Sequence, residues 1–317
     1  MNWRPGASQE AIAERAALLG KIRQFFLRRG VLEVDTPLLC SAGITDPSIE
    51  PLTVEQGTSL CAPRYLQTSP EYAMKRLLAA GSGCIYQIAK AFRDGEVGSR
   101  HNPEFTLLEW YRIGYDHHQL MDEVAELVCF CVGERAWQKF SYRELFLRFL
   151  KLDPFTVATE TLRETARAHV DLNFDSDERD LWLDLLMSHV IEPQLLGLGL
   201  CFVYDYPASQ AALSRVVEHD GVNVGQRFEL YLDGMELGNG YCELTNPDEQ
   251  ARRFLADNEK RQRLGLAQKP VDTKLLEAME HGLPQCSGVA VGVDRLLMCL
   301  RGSTDIRDVL AFDWERS

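Results

Sequence analysis

Residues Phe92–Tyr111, "FRDGEVGSRHNPEFTLLEWY", place two arginines, a histidine, four carboxylates and four aromatic rings (Phe92, Phe105, Trp110 and Tyr111) in twenty positions. Cys84 to Phe92 reads as extended and Glu104 to Tyr111 as extended again, which makes the stretch a β-hairpin with a long loop. Alternation along the return strand assigns Phe105, Leu107, Glu109 and Tyr111 to one face and Thr106, Leu108 and Trp110 to the other. A carboxylate on a dry face is costly unless a cation or donors meet it, and Arg93, at the end of the partner strand, is a plausible neighbour for Glu109. A structural Arg–Glu pair is the plainest account of these two residues. The loop asks for more, because Arg100 and His101 add positive charge at the same end, beside the ring of Phe105. A nucleotide would use all of them, with arginines on its phosphates and the ring against its base.

Composition limits what else the chain can be. Its 317 residues allow about two domains or one large α+β domain, either with room for a substantial core. Lys and Arg number 34 against 47 Asp and Glu, a net charge of −13, which disfavours nucleic acid as a large-footprint partner. The nine cysteines are an odd set without a CxxC and read as reduced thiols. The N-terminal stretch lacks an apolar targeting region, and the longest apolar run, around Leu195 to Tyr204, is too short and too glycine-broken to span a bilayer. A cytoplasmic protein with no membrane partner is expected.

Ser8 caps a helix whose apolar residues Ile12, Ala16, Leu19, Ile22 and Phe26 recur by three and four until Gly30. "VLEVDTPLL" (31–39) reads as a strand ended or pushed to an edge by Pro37. "RYLQTS" (64–69) reads as a strand running into a helix with Ser69 as cap and Pro70 at its first position. Capping boxes at Ser141 to Glu144 and Thr161 to Glu164 mark a helical middle section. "CFVYDYP" (201–207) and "RFELYLDGMELGNGYCEL" (227–244) are strands, with Asp233-Gly234 as a hairpin turn. "SGVAVGV" (287–293) then enters a helix at Asp294. There is no repeat and no linker-like tract, so a single α+β domain covering 1–317, with a mainly antiparallel sheet and a helical insertion at about 117–190, is expected.

"FRDGEVGSRHNPEF" with "EWY" resembles motif 2 of the class II aminoacyl-tRNA synthetases, and of the lysyl branch in particular. "SGVAVGVDRLLM" is similar to motif 3 and "GVLEVDTPLL" to motif 1. Three separated motifs in the right order cover nearly the whole chain. The resemblance implies an antiparallel sheet of about six to seven strands flanked by helices, in a homodimer joined partly through the motif 1 strand. Lysyl-tRNA synthetases carry an N-terminal anticodon-binding domain, and here the first helix leads almost directly into motif 1, so no such domain is expected. With the acidic balance, this resembles the elongation factor P (R)-β-lysine ligase family, which adenylates its amino acid and passes it to a protein lysine. Elongation factor P is then the implied protein substrate and tRNA is not a partner.

Adenylation needs no protein nucleophile, so catalysis rests on positioning and on neutralising phosphate charge. The resemblance assigns Arg93 to the α-phosphate and Arg295, which follows Gly292 at the start of a helix, to the γ-phosphate; these are the two catalytic residues. Asp94, Gly95, Glu96, His101, Asn102 and the stacking ring of Phe105 complete one side of the ATP site. "ELGNGYCE" supplies Glu236, Leu237, Asn239 and Glu243, with Glu236 and Glu243 as the Mg²⁺ ligands. Those two glutamates have opposite parity in an unbroken strand, so a bulge or turn is expected near Gly238 to Gly240. Taken without the resemblance, the plain alternative for this stretch is a second glycine-rich hairpin with exposed acids.

For a lysine-type substrate, the resemblance selects Ser69, Pro70 and Glu71 at the helix start, Glu109, Tyr111 and Glu243 around the other ammonium, and Ala290 on the pocket floor. Glu71 by itself would only complement its helix dipole. Ala290 stands where lysyl-tRNA synthetases have glycine, and its methyl group favours an amine displaced to the β-carbon. The chain departs from the family at Arg93-Asp94-Gly95-Glu96: a glutamate usually follows the arginine more closely, so either Glu96 takes over its adenine contact or that contact is absent. Two other readings stay open, a reduced lysyl-tRNA synthetase charging RNA with α-lysine and a non-catalytic binding paralogue.

Overall fold

The computed structural model describes residues 3–55 and 62–317. Two compact units emerge: Met1–Tyr115 with Phe130–Val132 and Thr245–Ser317, and Asp116–Cys129 with Gly133–Leu244. The first begins with α1 (Gln9–Arg28), whose N-terminus is closed by the Ser8 hydroxyl accepting from Ala11 N at 3.2 Å. Its buried stripe runs through Ala11, Leu18, Ile22, Phe25 and Phe26, turned slightly from the expected one so that Ala16 faces outward. Gly30, at φ +64°, ends the helix as expected.

The motif 1 stretch contributes less strand than its β-branched residues suggested. Only β1 (Leu32–Glu33) and β2 (Leu39–Cys40) are paired, because Pro37 interrupts what lies between. β3 (Thr53–Val54) and β2 flank β4 (Arg64–Leu66) in a small antiparallel sheet. α2 spans Glu71–Ala79; Pro70 occupies the cap rather than the first helical position, while the Ser69 hydroxyl still accepts from Glu71 N at 3.0 Å. β5 (Ile85–Phe92) and β6 (Glu104–Ile113) form the hairpin, with Ile85 opposite Tyr111 and Phe92 opposite Glu104. β1 runs parallel to β5 at its outer edge. Behind the sheet, Phe26 stacks on Tyr86 at 4.3 Å and meets Trp110 edge-on at 5.3 Å, which fixes α1 against the hairpin.

The second unit takes most of α3 (His117–Val132), then β7 (Trp137–Ser141), α4 (Tyr142–Leu150), α5 (Thr159–His169) and α6 (Arg179–Leu186), which runs into a single π turn at Met187–Ile191. Ser141 caps α4 as expected, but Thr161 does not start a helix: α5 begins two residues earlier, after Ala158. β8 (Leu200–Pro207), β9 (Val216–His219), β10 (Val222–Leu232) and β11 (Met235–Cys242) follow, ordered β11-β10-β8-β7 with β9 also on β10. Asp233 and Gly234 make the β10–β11 turn with φ +49° and +75°, the signature of a type I′ hairpin. Tyr142, Phe146, Leu162, Trp182, Leu186 and Tyr231 anchor this unit's core.

The chain then returns to the first unit through α7 (Pro247–Arg263), α8 (Thr273–Gly282), β12 (Cys286–Gly292) and α9 (Val293–Arg301). β12 pairs antiparallel with β6. Four strands in the first unit and five in the second enter the main ladders, more than expected from the family pattern because the short β1, β7 and β9 extend them; β1 and β7 are the parallel exceptions in a mainly antiparallel α+β fold. Eight cysteines are free thiols, and Cys61 lies outside the described residues. No helix among the described residues is long and apolar enough to cross a membrane.

Candidate functional site

The hairpin loop is tied before any ligand enters. Arg93 N donates to Pro103 O at 2.9 Å and Asp94 N to Glu50 O at 2.8 Å, while Gly98 and His101 exchange backbone hydrogen bonds of 3.1 and 3.3 Å. Gly95, at φ +76°, supplies the left-handed residue that this turn requires. The Arg93 guanidinium lies 5.0 Å from the centre of the Phe105 ring and 3.6 Å from Glu96 Oε1. Arg295 reaches the same loop from α9: its Nη2 is 2.6 Å from His101 Nε2 and its Nε donates to Arg100 O at 3.3 Å. A guanidinium only donates, so His101 Nε2 accepts and the imidazole proton resides on Nδ1. Burial, and then the charge of Arg295, hold the His101 pKa below its ordinary 6.5.

Asp294, one residue before Arg295 and 2 % exposed, fixes the first turn of α9. It accepts from Thr106 N at 2.7 Å and from Arg15 Nη2 at 2.5 Å. The same arginine nitrogen bonds Thr106 Oγ1 at 2.8 Å, so β6, α1 and α9 meet at one carboxylate. The Asn102 side chain is held within the protein: its Nδ2 donates to Glu104 O at 2.7 Å and its Oδ1 accepts from Trp314 N at 2.9 Å.

The alternation read from the sequence holds across three strands. Phe105, Leu107, Glu109 and Tyr111 share a face; Ala91, Ala89, Gln87 and Ile85 are opposite them on β5, and Gly292, Ala290 and Gly288 are opposite Leu107, Glu109 and Tyr111 on β12. On the β12 side the facing residues are two glycines and an alanine, and Ala290 directly adjoins Glu109. Glu109, 2 % exposed, receives the Ser69 hydroxyl on Oε2 and the Tyr111 hydroxyl on Oε1, both at 2.6 Å. These donors offset the desolvation of its charge. The expected Arg93–Glu109 pair is replaced by this arrangement. Glu71 is bound to its own helix, with Lys75 Nζ, on a side chain 1 % exposed, donating to Oε1 at 2.6 Å. A cavity of ≈ 280 Å³ opens beside Ser69, Pro70 and Glu71.

In the second unit the expected bulge is present, displaced by a residue from the glycines. Leu230 pairs with Gly238 and Tyr231 with Glu236, leaving Leu237 unopposed. The extra residue restores parity: Glu236, Asn239, Tyr241 and Glu243 fall on one face, with Arg227, Glu229 and Tyr231 beside them on β10. Glu243 is 1 % exposed and bridges to Ser214. Sharing a face does not bring Glu236 and Glu243 together: at ~3.3 Å per residue they stand roughly 20 Å apart along the strand, so a Mg²⁺ could take a hard carboxylate from either one but not from both.

Arg93, Glu96, His101, Phe105 and Arg295 are thus gathered around one loop, and Ser69, Glu71, Glu109, Tyr111 and Ala290 around the middle of the hairpin. Glu236, Leu237 and Asn239 lie on β11, and Glu243 just past its end. Lys75, Asp294, Arg15 and the buried Gln87, whose Oε1 accepts from Thr36 at 3.0 Å, were not found by sequence reasoning. Only Lys75 left a signal, the i, i+4 spacing from Glu71; Arg15 and Asp294 are 279 positions apart.

Comparison with known proteins points one way. Residues 1–316 match the family model described as tRNA synthetases class II (D, K and N). The chain is 47% identical over 320 residues to the "Elongation factor P--(R)-beta-lysine ligase" of Pseudoalteromonas translucida (strain TAC 125), covering 99% of this chain and 98% of that protein. The proteins of the same name from Vibrio vulnificus (strain YJ016) and Vibrio cholerae serotype O1 (strain ATCC 39315 / El Tor Inaba N16961) are 47% and 46% identical, covering 98% and 100% of this chain and 98% and 99% of their own lengths.

Proposed function

This chain belongs to the class II tRNA synthetase family (D, K and N), and from that premise we propose that it is an ATP-dependent ligase that adenylates (R)-β-lysine and transfers it to a lysine side chain of translation elongation factor P. The observation that carries this is the near full-length identity to ligases of that name.

In the first half-reaction the substrate carboxylate oxygen attacks the α-phosphorus, the bond to the bridging oxygen of the β-phosphate breaks, and pyrophosphate departs. Arg93 neutralises the α-phosphate and Arg295 the γ-phosphate, each already turned toward the Phe92–Tyr111 loop. Phe105 stacks on adenine, and Glu96 exchanges its contact with Arg93 for one with the base. In the second half-reaction the acceptor lysine amine attacks the acyl carbon, AMP leaves and the amine loses a proton. Glu236 or Glu243 would give Mg²⁺ a carboxylate, and the ion would supply charge neutralisation at the phosphates. Glu71 and Glu109 are the first unit's candidates for the ammonium groups and Glu243 the second unit's, and the Ala290 methyl narrows the space for an α-amine. The same proposal includes a cytoplasmic homodimer joined through the motif 1 stretch, where Leu32, Leu38 and Leu39 are exposed by 56%, 40% and 44%. Arg93→Ala and Arg295→Ala should each reduce ATP–pyrophosphate exchange by at least about 10²-fold with unchanged thermal unfolding; near wild-type exchange in either overturns the ATP-site assignment.

A further inference from the structure

Arg227, on β10, is held on several sides within the second unit. Its Nη2 donates to Glu229 Oε1 at 2.5 Å and its Nη1 to Gln210 O at 2.8 Å, and the guanidinium carbon lies 4.5 Å from the centre of the Tyr206 ring. Glu229 in turn accepts the Tyr231 hydroxyl at 2.6 Å, and that hydroxyl is 3.2 Å from Glu192 Oε1. Its Nε donates to Asn239 Oδ1 at 3.3 Å across the β10–β11 ladder. An arginine Nε carries a proton and cannot accept, so the Asn239 atom facing it is the oxygen, and the orientation of the amide follows from chemistry.

We propose that Arg227 is a positioning residue for adenylation: by holding Asn239 Oδ1 it leaves the Asn239 NH2 group to meet an anionic oxygen of the ligand. This rests on the adenylating site argued above, in which Asn239 contacts bound substrate. The Asn239 oxygen is then turned to Arg227, and the NH2 group acts as a donor to a carboxylate or a phosphate. Glu229, Gln210 and the Tyr206 ring keep the guanidinium from rotating, so the amide is set before the ligand arrives. A ready-made donor of this kind costs no reorganisation during reaction.

A double-mutant cycle in ATP–pyrophosphate exchange tests this, with thermal unfolding of each variant measured alongside. Arg227→Lys keeps a cation beside Glu229 but loses the fork, and kcat/KM should fall by about 10-fold or more. In an Asn239→Ala background the same change should have less than about a twofold effect, because the residue it acts through is gone. Equal losses in both backgrounds overturn the proposal. Asn239→Asp retains an acceptor for Arg227 and replaces the donor by an oxygen; a stable protein at least as impaired as Asn239→Ala is expected, and retained activity overturns the proposal even if Arg227→Lys fails to fold. A raised KM for (R)-β-lysine in Asn239→Ala identifies the anion as the carboxylate, and one for ATP identifies it as a phosphate. Wild-type exchange by Asn239→Ala alone overturns the site reading, and the proposal with it.

Discussion

Glu71 and Glu109 are carboxylates of different standing. Glu71 shares its charge with Lys75 at 2.6 Å, whereas Glu109 receives the hydroxyls of Ser69 and Tyr111. The direct neighbour of Glu109 on β12 is Ala290. Ala290→Gly should relax the preference for (R)-β-lysine over α-lysine by roughly 10- to 200-fold, the range for one methyl group; an unchanged ratio of kcat/KM for the two amino acids removes Ala290 from the specificity account. His101 gives a second test. Its pKa is held below 6.5 in the free protein, so between its folded and unfolded values the folded state binds fewer protons. The stability that it contributes is complete above 6.5 and is lost as pH falls below that value. Its NMR titration midpoint should lie below 6.5 without ligand and rise on addition of ATP, whose phosphates favour the cation; a free-protein midpoint at or above 6.5 contradicts the contact with Arg295. Glu109 stood out in the sequence because a carboxylate breaks the pattern of a dry strand face, whereas Arg93 and Arg295 were picked out by the resemblance of their motifs. For Lys75 the spacing from Glu71 signalled a pair but not its burial, since a lysine in a surface-type helix pattern carries no mark of that.

At the scale of elements, the hairpin register follows from a period of two, and the type I′ turn from Asp233-Gly234, both local properties of the chain. The bulge was inferable only from the need to bring Glu236 and Glu243 to one face, and its position at Leu237 depends on how β10 pairs. The Thr161 pattern misled because Ser/Thr-x-x-Glu is equally compatible with a helix interior, where Thr161 O accepts from Thr165 Oγ1 at 2.7 Å. Gly225 bears on the second unit directly: a Cβ there would lie 2.8 Å from both Ala211 Cα and Ala211 Cβ, and 3.0 Å from Ser214 Oγ. Ser214 bridges to Glu243, so the crowding reaches a proposed ligand of the substrate. Gly225→Ala should destabilise the protein by about 1–3 kcal/mol and also slow exchange. Calorimetry showing wild-type unfolding would mean that the 211–214 turn moves without cost.

For the whole molecule, a charge of −13 gives little help to a polyanionic acceptor and does not impede a protein one. The family pattern in three separated motifs made the fold readable over the whole chain, whereas the commitments of Asn102, Asp294 and Arg227 to distant partners needed coordinates. The central claim is the pairing of a β-amino substrate with a protein acceptor. It is tested most directly by ATP–pyrophosphate exchange with (R)-β-lysine and α-lysine side by side, followed by transfer of each activated amino acid to elongation factor P and to tRNA. Faster exchange with (R)-β-lysine and labelling of elongation factor P alone are expected; faster exchange with α-lysine and its appearance on tRNA would contradict the account.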